Sequence, residues 1–168
     1  MFNRNGKYDV TALENVYVMD TARAKQRVDT IVAALNRYEP ELSSLKGFGF
    51  CISIKHAIFM AEQFTQRGIP SAAIVSGVEN GRCSDLLDDL KAGRLTFLFT
   101  VDKLSEGIDV PEVNTVLFLR PTESLTVFLQ QLGRGLRHAT GKDCLTVLDF
   151  VGQAHKRYRV DTKLKALL

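Results

Sequence analysis

Two arginines, Arg134 and Arg137, have the type and spacing that point most directly to chemistry. They lie in the run QQLGRGLR, where together with Gln130 and Gly133 they fit the pattern Q-x-x-G-R-x-x-R. Residues three apart on a helix project from one face, and planar, permanently charged guanidinium groups suit the charge of a phosphoryl group in transfer. Gly133 removes a side chain where a ligand must come close. A basic helix end is the structural alternative, since cations near a helix C-terminus are favoured.

A polar loop upstream of this run offers a second candidate site. Between Thr100 and Pro111 an apolar segment runs into a loop in which Gly107 stands two residues before Asp109. A carboxylate in this position could accept hydrogen bonds from ribose hydroxyls or orient a neighbouring arginine. Glycine, aspartate and proline also cluster in ordinary turns for local reasons. The loop alone therefore supports both interpretations.

The sequence lacks a loop of the kind that holds nucleotide phosphates. It contains neither G-x-x-x-x-G-K-[ST] nor G-x-G-x-x-G. It also has no Asp-Glu pair ending a strand, which would hold the magnesium ion of a P-loop enzyme. If nucleotide is involved, we expect these residues to meet it from the side opposite such a loop.

The elements that must position these residues follow two patterns along the chain. Residues 1–46 are predicted to form a mostly helical lead-in, with apolar residues at helical spacing from Thr21 to Tyr38. From residue 47 onward, short β-rich apolar runs alternate with amphipathic helical patterns. The predicted strands cover 48–54, 72–75, 95–100, 115–119 and 144–150. This alternation predicts one α/β domain over 47–168, with a mainly parallel sheet covered on both faces.

Composition places the chain among ordinary globular proteins. Apolar residues make up 45% of it and charged residues 24%. Its apolar runs are too short to span a bilayer, and its first residues lack the apolar core of a signal peptide. The three cysteines Cys51, Cys83 and Cys144 are widely spaced and argue for a reducing compartment. We therefore expect a cytoplasmic protein without a metal site and without a membrane partner.

Charge by itself does not identify a partner. The net charge is only +3, although the tail from Lys156 to Lys165 is basic. Such a tail could follow the phosphates of a nucleic acid. It could equally be a solvated surface.

The order of the motifs resembles that of superfamily 2 helicases. The succession T-x-x-x-x-x-x-G-x-D-x-P, a strand, then Q-x-x-G-R-x-x-R is similar to their motifs V and VI. The run FCISIKHA at 50–57 is similar to motif IV, and Gly68-Ile69-Pro70 followed by a strand ending at Gly77 is similar to the next family element. The resemblance covers residues 47–152. The runs RPTESL and LTVLDF resemble those of a narrower group, bacterial DEAD/DEAH-box-like helicases related to restriction-enzyme motor subunits.

This resemblance implies a fold and an activity. The fold would be a RecA-like three-layer α/β/α domain over 47–168, preceded by the helical lead-in of 1–46. The chain would be the second motor lobe of an ATP-dependent helicase or translocase. ATP and Mg²⁺ would be held mainly by an N-terminal RecA-like lobe of the same polypeptide. The partner would be nucleic acid, with DNA favoured over RNA.

The family also implies a role for each matched residue. Arg134 and Arg137 would be arginine fingers, and Gln130 would couple the nucleotide to the interface between lobes. Three residues would line the nucleotide side of the cleft: Gly107, Asp109 and Gly133. Six residues would contact the phosphates of a nucleic-acid strand: Ser53, Ile54, Lys55, Ser76, Gly77 and Thr100.

Two features near these predicted contacts argue against a further role in binding or catalysis. Glu79 and Asn80 stand in a short link where relatives often have a longer loop, which weakens any strand contact at that point. His56, at a helix start, is expected to be a structural residue.

Two alternatives to the motor lobe follow from the sequence. The domain could be a catalytically silent RecA-like module that binds nucleic acid or protein, in which case Arg134 and Arg137 would be dispensable for ATP hydrolysis. A free-standing Rossmann-type metabolic enzyme is disfavoured, because the glycine-rich fingerprint is missing.

Overall fold

The computed structural model describes residues 21–38, 44–75, 80–101, 113–120 and 145–150, together with Glu14 and Glu41. These ranges contain three helices, α1 (Thr21–Tyr38), α2 (Ile54–Gln66) and α3 (Asn80–Lys91). They also contain five strands: β1 (Gly47–Phe50), β2 (Ser71–Ile74), β3 (Phe97–Thr100), β4 (Thr115–Phe118) and β5 (Thr146–Asp149). None of the helices in these ranges is long and apolar enough to cross a membrane.

The five strands form one sheet in the order β2-β3-β1-β4-β5. Every pair of neighbours is parallel. In the central strand, Phe50 stands opposite Thr100 of β3 and Phe118 of β4. Because all five strands run the same way, their carboxyl ends meet at one edge. The parallel sheet predicted from the sequence is confirmed.

Helices cover both faces of this sheet. On one face, α1 and α2 pack against Phe97, Phe99 and Leu117. On the other, α3 packs with Leu90 against a cluster that includes Phe48. The chain moves outward from β1 to β2 through α2 and back to β3 through α3. Right-handed crossovers in opposite directions place their helices on opposite faces, so the predicted α/β/α layering is confirmed.

Two glycines let aromatic rings lie directly over the central strand. A Cβ on Gly47 would come 2.1 Å from Cε1 of Phe97, and one on Gly49 would come 2.3 Å from Cδ1 of Phe99. The ring of Phe64, on α2, meets both phenylalanines edge-on at centroid distances of 5.4 and 4.9 Å. The rings of β3 therefore fill the space that side chains of β1 would otherwise take.

Glycines end two of the helices where the sequence predicts. After α2, Gly68 has φ +79°, and after α3, Gly93 has φ +74°. Both values lie in the left-handed region that favours glycine at a helix C-terminus. The amide of Ile69 donates to the carbonyl of Phe64, which closes the end of α2.

β1 is shorter than the sequence predicts. The strand expected over 48–54 ends at Phe50, because the chain bends at Ile52 and Ser53 and Ser53 caps α2 at its amino end. Ser53 thus belongs to the turn between the strand and the helix, and an apolar pattern alone does not distinguish a buried strand end from the first turn of a helix.

α1, part of the predicted lead-in, packs into the same apolar cluster as α2. Its buried residues recur at helical spacing: Ala24, Val28, Ile31 and Leu35. A salt bridge joins Asp29 to Arg67 at the end of α2, with Oδ1 and Nη2 2.7 Å apart. Before β1, the side chain of Asn114 accepts from the amide of Lys46 at 2.9 Å, which fixes the entry into the strand.

Candidate nucleic-acid interface

At the carboxyl edge of the sheet, the chain leaves two strands in the direction of the candidate motifs. The strand order changes direction at β1, with β2 and β3 on one side and β4 and β5 on the other. In open α/β sheets, ligands bind outside the carboxyl ends of the strands at such a point. The chain leaves β3 through Val101 and β4 through Arg120 at this edge. In the sequence, the motif with Gly107 follows the first exit and the motif with Arg134 follows the second.

The amino end of α2 lies at this edge and is capped. Ser53 caps the helix, since its Oγ accepts from the amide of His56 at 3.2 Å. Ile54 and Lys55 follow it and are exposed, and the first turn of α2 has no acidic residue. The first amides of a helix lack partners within the helix and carry its positive dipole end. Phosphate groups bind at such ends.

The residues before Ser53 are buried and are tied to the neighbouring strand. The amide of Cys51 donates to the carbonyl of Thr100 at 2.8 Å, which ties the end of β1 to the end of β3. Burial raises the pKa of the Cys51 thiol well above its usual range, and the guanidinium of Arg120 only partly offsets this. The thiol is therefore protonated at neutral pH and is not a nucleophile.

His56 is buried as well. Its side chain is 2% exposed, and its Nδ1 accepts from the amide of Ile52 at 3.4 Å. Burial lowers the pKa of the imidazole to about 3, and the nearby guanidinium of Arg27 acts in the same direction. The ring is therefore neutral at physiological pH. The structure agrees with the interpretation of His56 as a structural residue.

Two half-buried arginines at this edge were not foreseen from the sequence. Arg27 Nη2 donates to the carbonyl of Phe150 at 2.5 Å, which joins α1 to the end of β5. Arg120 follows β4 and acts electrostatically on Cys51. Arg27 could have been found, because it falls within the apolar stripe of α1 between Ala24 and Val28. A cation in such a stripe must reach a polar partner.

The structure locates four of the predicted site residues. Ser53, Ile54 and Lys55 lie together at the amino end of α2. Thr100 is the last residue of the neighbouring strand β3 and is 3% exposed, which leaves its hydroxyl little surface to offer a phosphate. Its phosphate contact stays a prediction. Eight predicted residues lie outside the described residues: Ser76, Gly77, Gly107, Asp109, Gln130, Gly133, Arg134 and Arg137.

Comparison with known families decides what kind of domain this is. The helicase conserved C-terminal domain family matches residues 17–139. The chain belongs to this family. The match includes α1 as well as the strands β1 to β4.

Relatives and solved structures agree with this assignment. UvrABC system protein B of Chlamydia pneumoniae is 37% identical over 99 residues, which are 54% of this chain and 15% of that protein. The ATP-dependent RNA helicase DDX55 of Danio rerio is 28% identical over 136 residues, which are 81% of this chain and 22% of that protein. The crystal structure of the Hef helicase domain of Pyrococcus furiosus has a TM-score of 0.59 at 21% identity and covers 77% of this chain and 26% of that one.

These comparisons confirm the RecA-like helicase fold. They also show that this helicase C-terminal domain spans less than a third of the length of the curated relatives that it matches.

Proposed function

We propose that this chain is the second motor lobe of an ATP-dependent superfamily 2 helicase or translocase that acts on nucleic acid. The observation that carries the proposal is that three features of a helicase C-terminal fold meet at the carboxyl edge of its sheet. At this edge lie the capped, exposed amino end of α2 and the two exits, Val101 and Arg120, that lead into the motifs with Gly107 and Arg134.

The strand contact is built around α2. The backbone around Ser53, Ile54 and Lys55 and the ammonium group of Lys55 bind successive phosphates of one strand, and Ser76, Gly77 and Thr100 extend the track. Because these contacts are to the backbone of the nucleic acid, sequence preference is weak and affinity falls steeply with salt.

The ATP chemistry needs a second lobe. ATP lies on a phosphate loop of an N-terminal RecA-like lobe, and closure brings Arg134 and Arg137 onto its γ-phosphate. Gln130 couples the nucleotide to the interface, while Gly107, Asp109 and Gly133 line the cleft. The proposal is supported by the absence of a phosphate loop in the sequence. The sequence also has no Asp-Glu pair ending a strand, so we assign Mg²⁺ to the other lobe.

The partner and the compartment belong to the same proposal. DNA is favoured by the resemblance to restriction-enzyme motor subunits, whereas one relative is named an RNA helicase. The cysteine usage supports a cytoplasmic location.

Replacement of Lys55 tests the strand contact. Lys55→Ala should weaken binding of a labelled single-stranded oligonucleotide by about three- to tenfold, because one phosphate loses its cation. The slope of log affinity against log salt concentration should also become shallower by about one unit. Lys91→Ala is the matched control, since Lys91 is an exposed lysine at the carboxyl end of α3. Fluorescence anisotropy measures both variants over a salt series, with DNA and RNA of one sequence.

Equal effects of the two replacements would contradict the strand contact at α2. Tighter binding of RNA than of DNA would correct the preferred partner. Lys55→Ala would also weaken strand binding in a catalytically silent binding module. Measurement of ATP hydrolysis is therefore needed to distinguish that alternative from the motor.

A further inference from the structure

We propose that His56 is a positioning residue for the strand contact: its buried side chain fixes the turn from Cys51 to Ser53, so that the amino end of α2 faces a phosphate. This inference rests on the proposed nucleic-acid contact at Ser53, Ile54 and Lys55.

The hydrogen bonds of His56 enclose the turn from two sides. Its amide donates to Oγ of Ser53 at 3.2 Å, and its Nδ1 accepts from the amide of Ile52 at 3.4 Å. The amide of Ala57 donates to the carbonyl of Ser53 at 3.0 Å and begins the helix. Of these bonds, only the one at Nδ1 uses the side chain of His56; the bond to Ser53 comes from the backbone amide and persists in any replacement at this position.

The amide of Ile52 needs a hydrogen-bond acceptor because this part of the turn is buried. Ile52 is 6% exposed and Cys51 is fully buried. A buried amide without a partner costs about 1–3 kcal/mol, which favours other conformations of the turn. Nδ1 can accept only while it carries no proton. Burial together with Arg27 keeps the ring neutral, and the hydrogen bond from the Ile52 amide assigns its one proton to Nε2.

α1 brings a charged side chain near the ring. Arg27 comes close enough to act on the charge of His56 and donates to the carbonyl of Phe150. α1 in turn packs against α2 through its buried apolar residues. The neutral state of the ring therefore depends in part on α1, whose Arg27 is held by the end of β5.

Two replacements of nearly the same shape separate positioning from packing. His56→Asn keeps an acceptor oxygen at the position of Nδ1, whereas His56→Leu places a methyl group there. We expect His56→Leu to weaken binding of a labelled oligodeoxythymidine by about tenfold and His56→Asn by less than about threefold, because only the leucine leaves the Ile52 amide without its acceptor. Both are measured on the whole chain by fluorescence anisotropy.

Two further variants control this experiment. Ile31→Val removes one buried methyl group from α1 and lowers stability, but it touches no hydrogen bond of the turn. It should leave binding unchanged at temperatures where the chain stays folded. Lys55→Ala reports whether the strand contact exists.

The outcomes distinguish the two proposals. Rescue by asparagine but not by leucine supports the positioning role. If His56→Leu binds like the wild type while Lys55→Ala is weakened, the positioning role is wrong and the strand contact stands. Equal losses of affinity in His56→Asn and His56→Leu also overturn the positioning role, since only the packing of the side chain would then matter. If the wild-type chain binds no strand, or Lys55→Ala has no effect, both proposals fall.

Discussion

At the residue scale, the candidate interface combines exposed groups that could meet a ligand with buried groups that hold them. Lys55 is exposed and charged, whereas His56, the next residue, is buried and neutral. The sequence placed both at the start of α2. It did not reveal the partners of His56, because Arg27 lies on another helix and Ile52 lies in a turn that resembles a strand in the apolar pattern.

The buried, neutral imidazole predicts a dependence of stability on pH. The pKa of His56 is about 3 in the folded chain and about 6.5 in the unfolded chain. Between these values the unfolded chain binds a proton that the folded chain does not, so stability falls as the pH falls below about 6.5. The contribution lost on going from about pH 8 to about pH 5 is on the order of 2 kcal/mol.

Urea unfolding of the wild type and of His56→Asn at several pH values measures this term. The variant should lose less stability on acidification, because the proton-binding group is gone, whereas the carboxylates and the two other histidines are common to both chains. Parallel pH profiles for the two chains would show that His56 is not held neutral by the fold.

At the element scale, the sequence predicted the alternation of strands and helices, both glycine helix ends and the parallel sheet. These features depend on local pattern and on spacing. The strand order and the register could not be read from local pattern. The packing of Phe97 and Phe99 over Gly47 and Gly49 depends on which strands are neighbours, and no local signal states that.

This packing of β3 over β1 predicts the cost of adding one methyl group. Gly49→Ala should destabilise the chain by about 1–3 kcal/mol, because the new Cβ overlaps the ring of Phe99 and that ring has no room to move against Phe64. On strand propensity alone the same replacement would stabilise by roughly 0.5–1 kcal/mol. Urea unfolding decides between the two signs.

A second replacement tests the cause of that cost. In Gly49→Ala combined with Phe99→Leu, the smaller side chain relieves the overlap, so the double variant should be more stable than the sum of the single effects predicts, by at least about 0.5 kcal/mol. Additive effects would mean that the ring of Phe99 does not lie over Gly49.

At the scale of the whole molecule, this helicase C-terminal domain has a run at 130–137 that is similar to motif VI, and its sequence has no phosphate loop. The proposed arrangement puts ATP between two lobes and the strand across the carboxyl edge of the sheet. Closure of the lobes would then link the γ-phosphate to the contacts at α2. A silent binding module would keep the strand contact but would not need Arg137.

ATP hydrolysis tests this two-lobe arrangement most directly. Phosphate release is measured, with and without single-stranded nucleic acid, for this chain alone and for the polypeptide that carries both lobes. In that polypeptide, Arg137→Ala is compared with Arg94→Ala, a matched control on an exposed arginine paired with Asp89. We predict no turnover by the chain alone and a loss of about 10³-fold or more for Arg137→Ala, with ATP binding largely retained and Arg94→Ala unchanged. Turnover by the chain alone, or unchanged turnover in Arg137→Ala, would contradict the assignment.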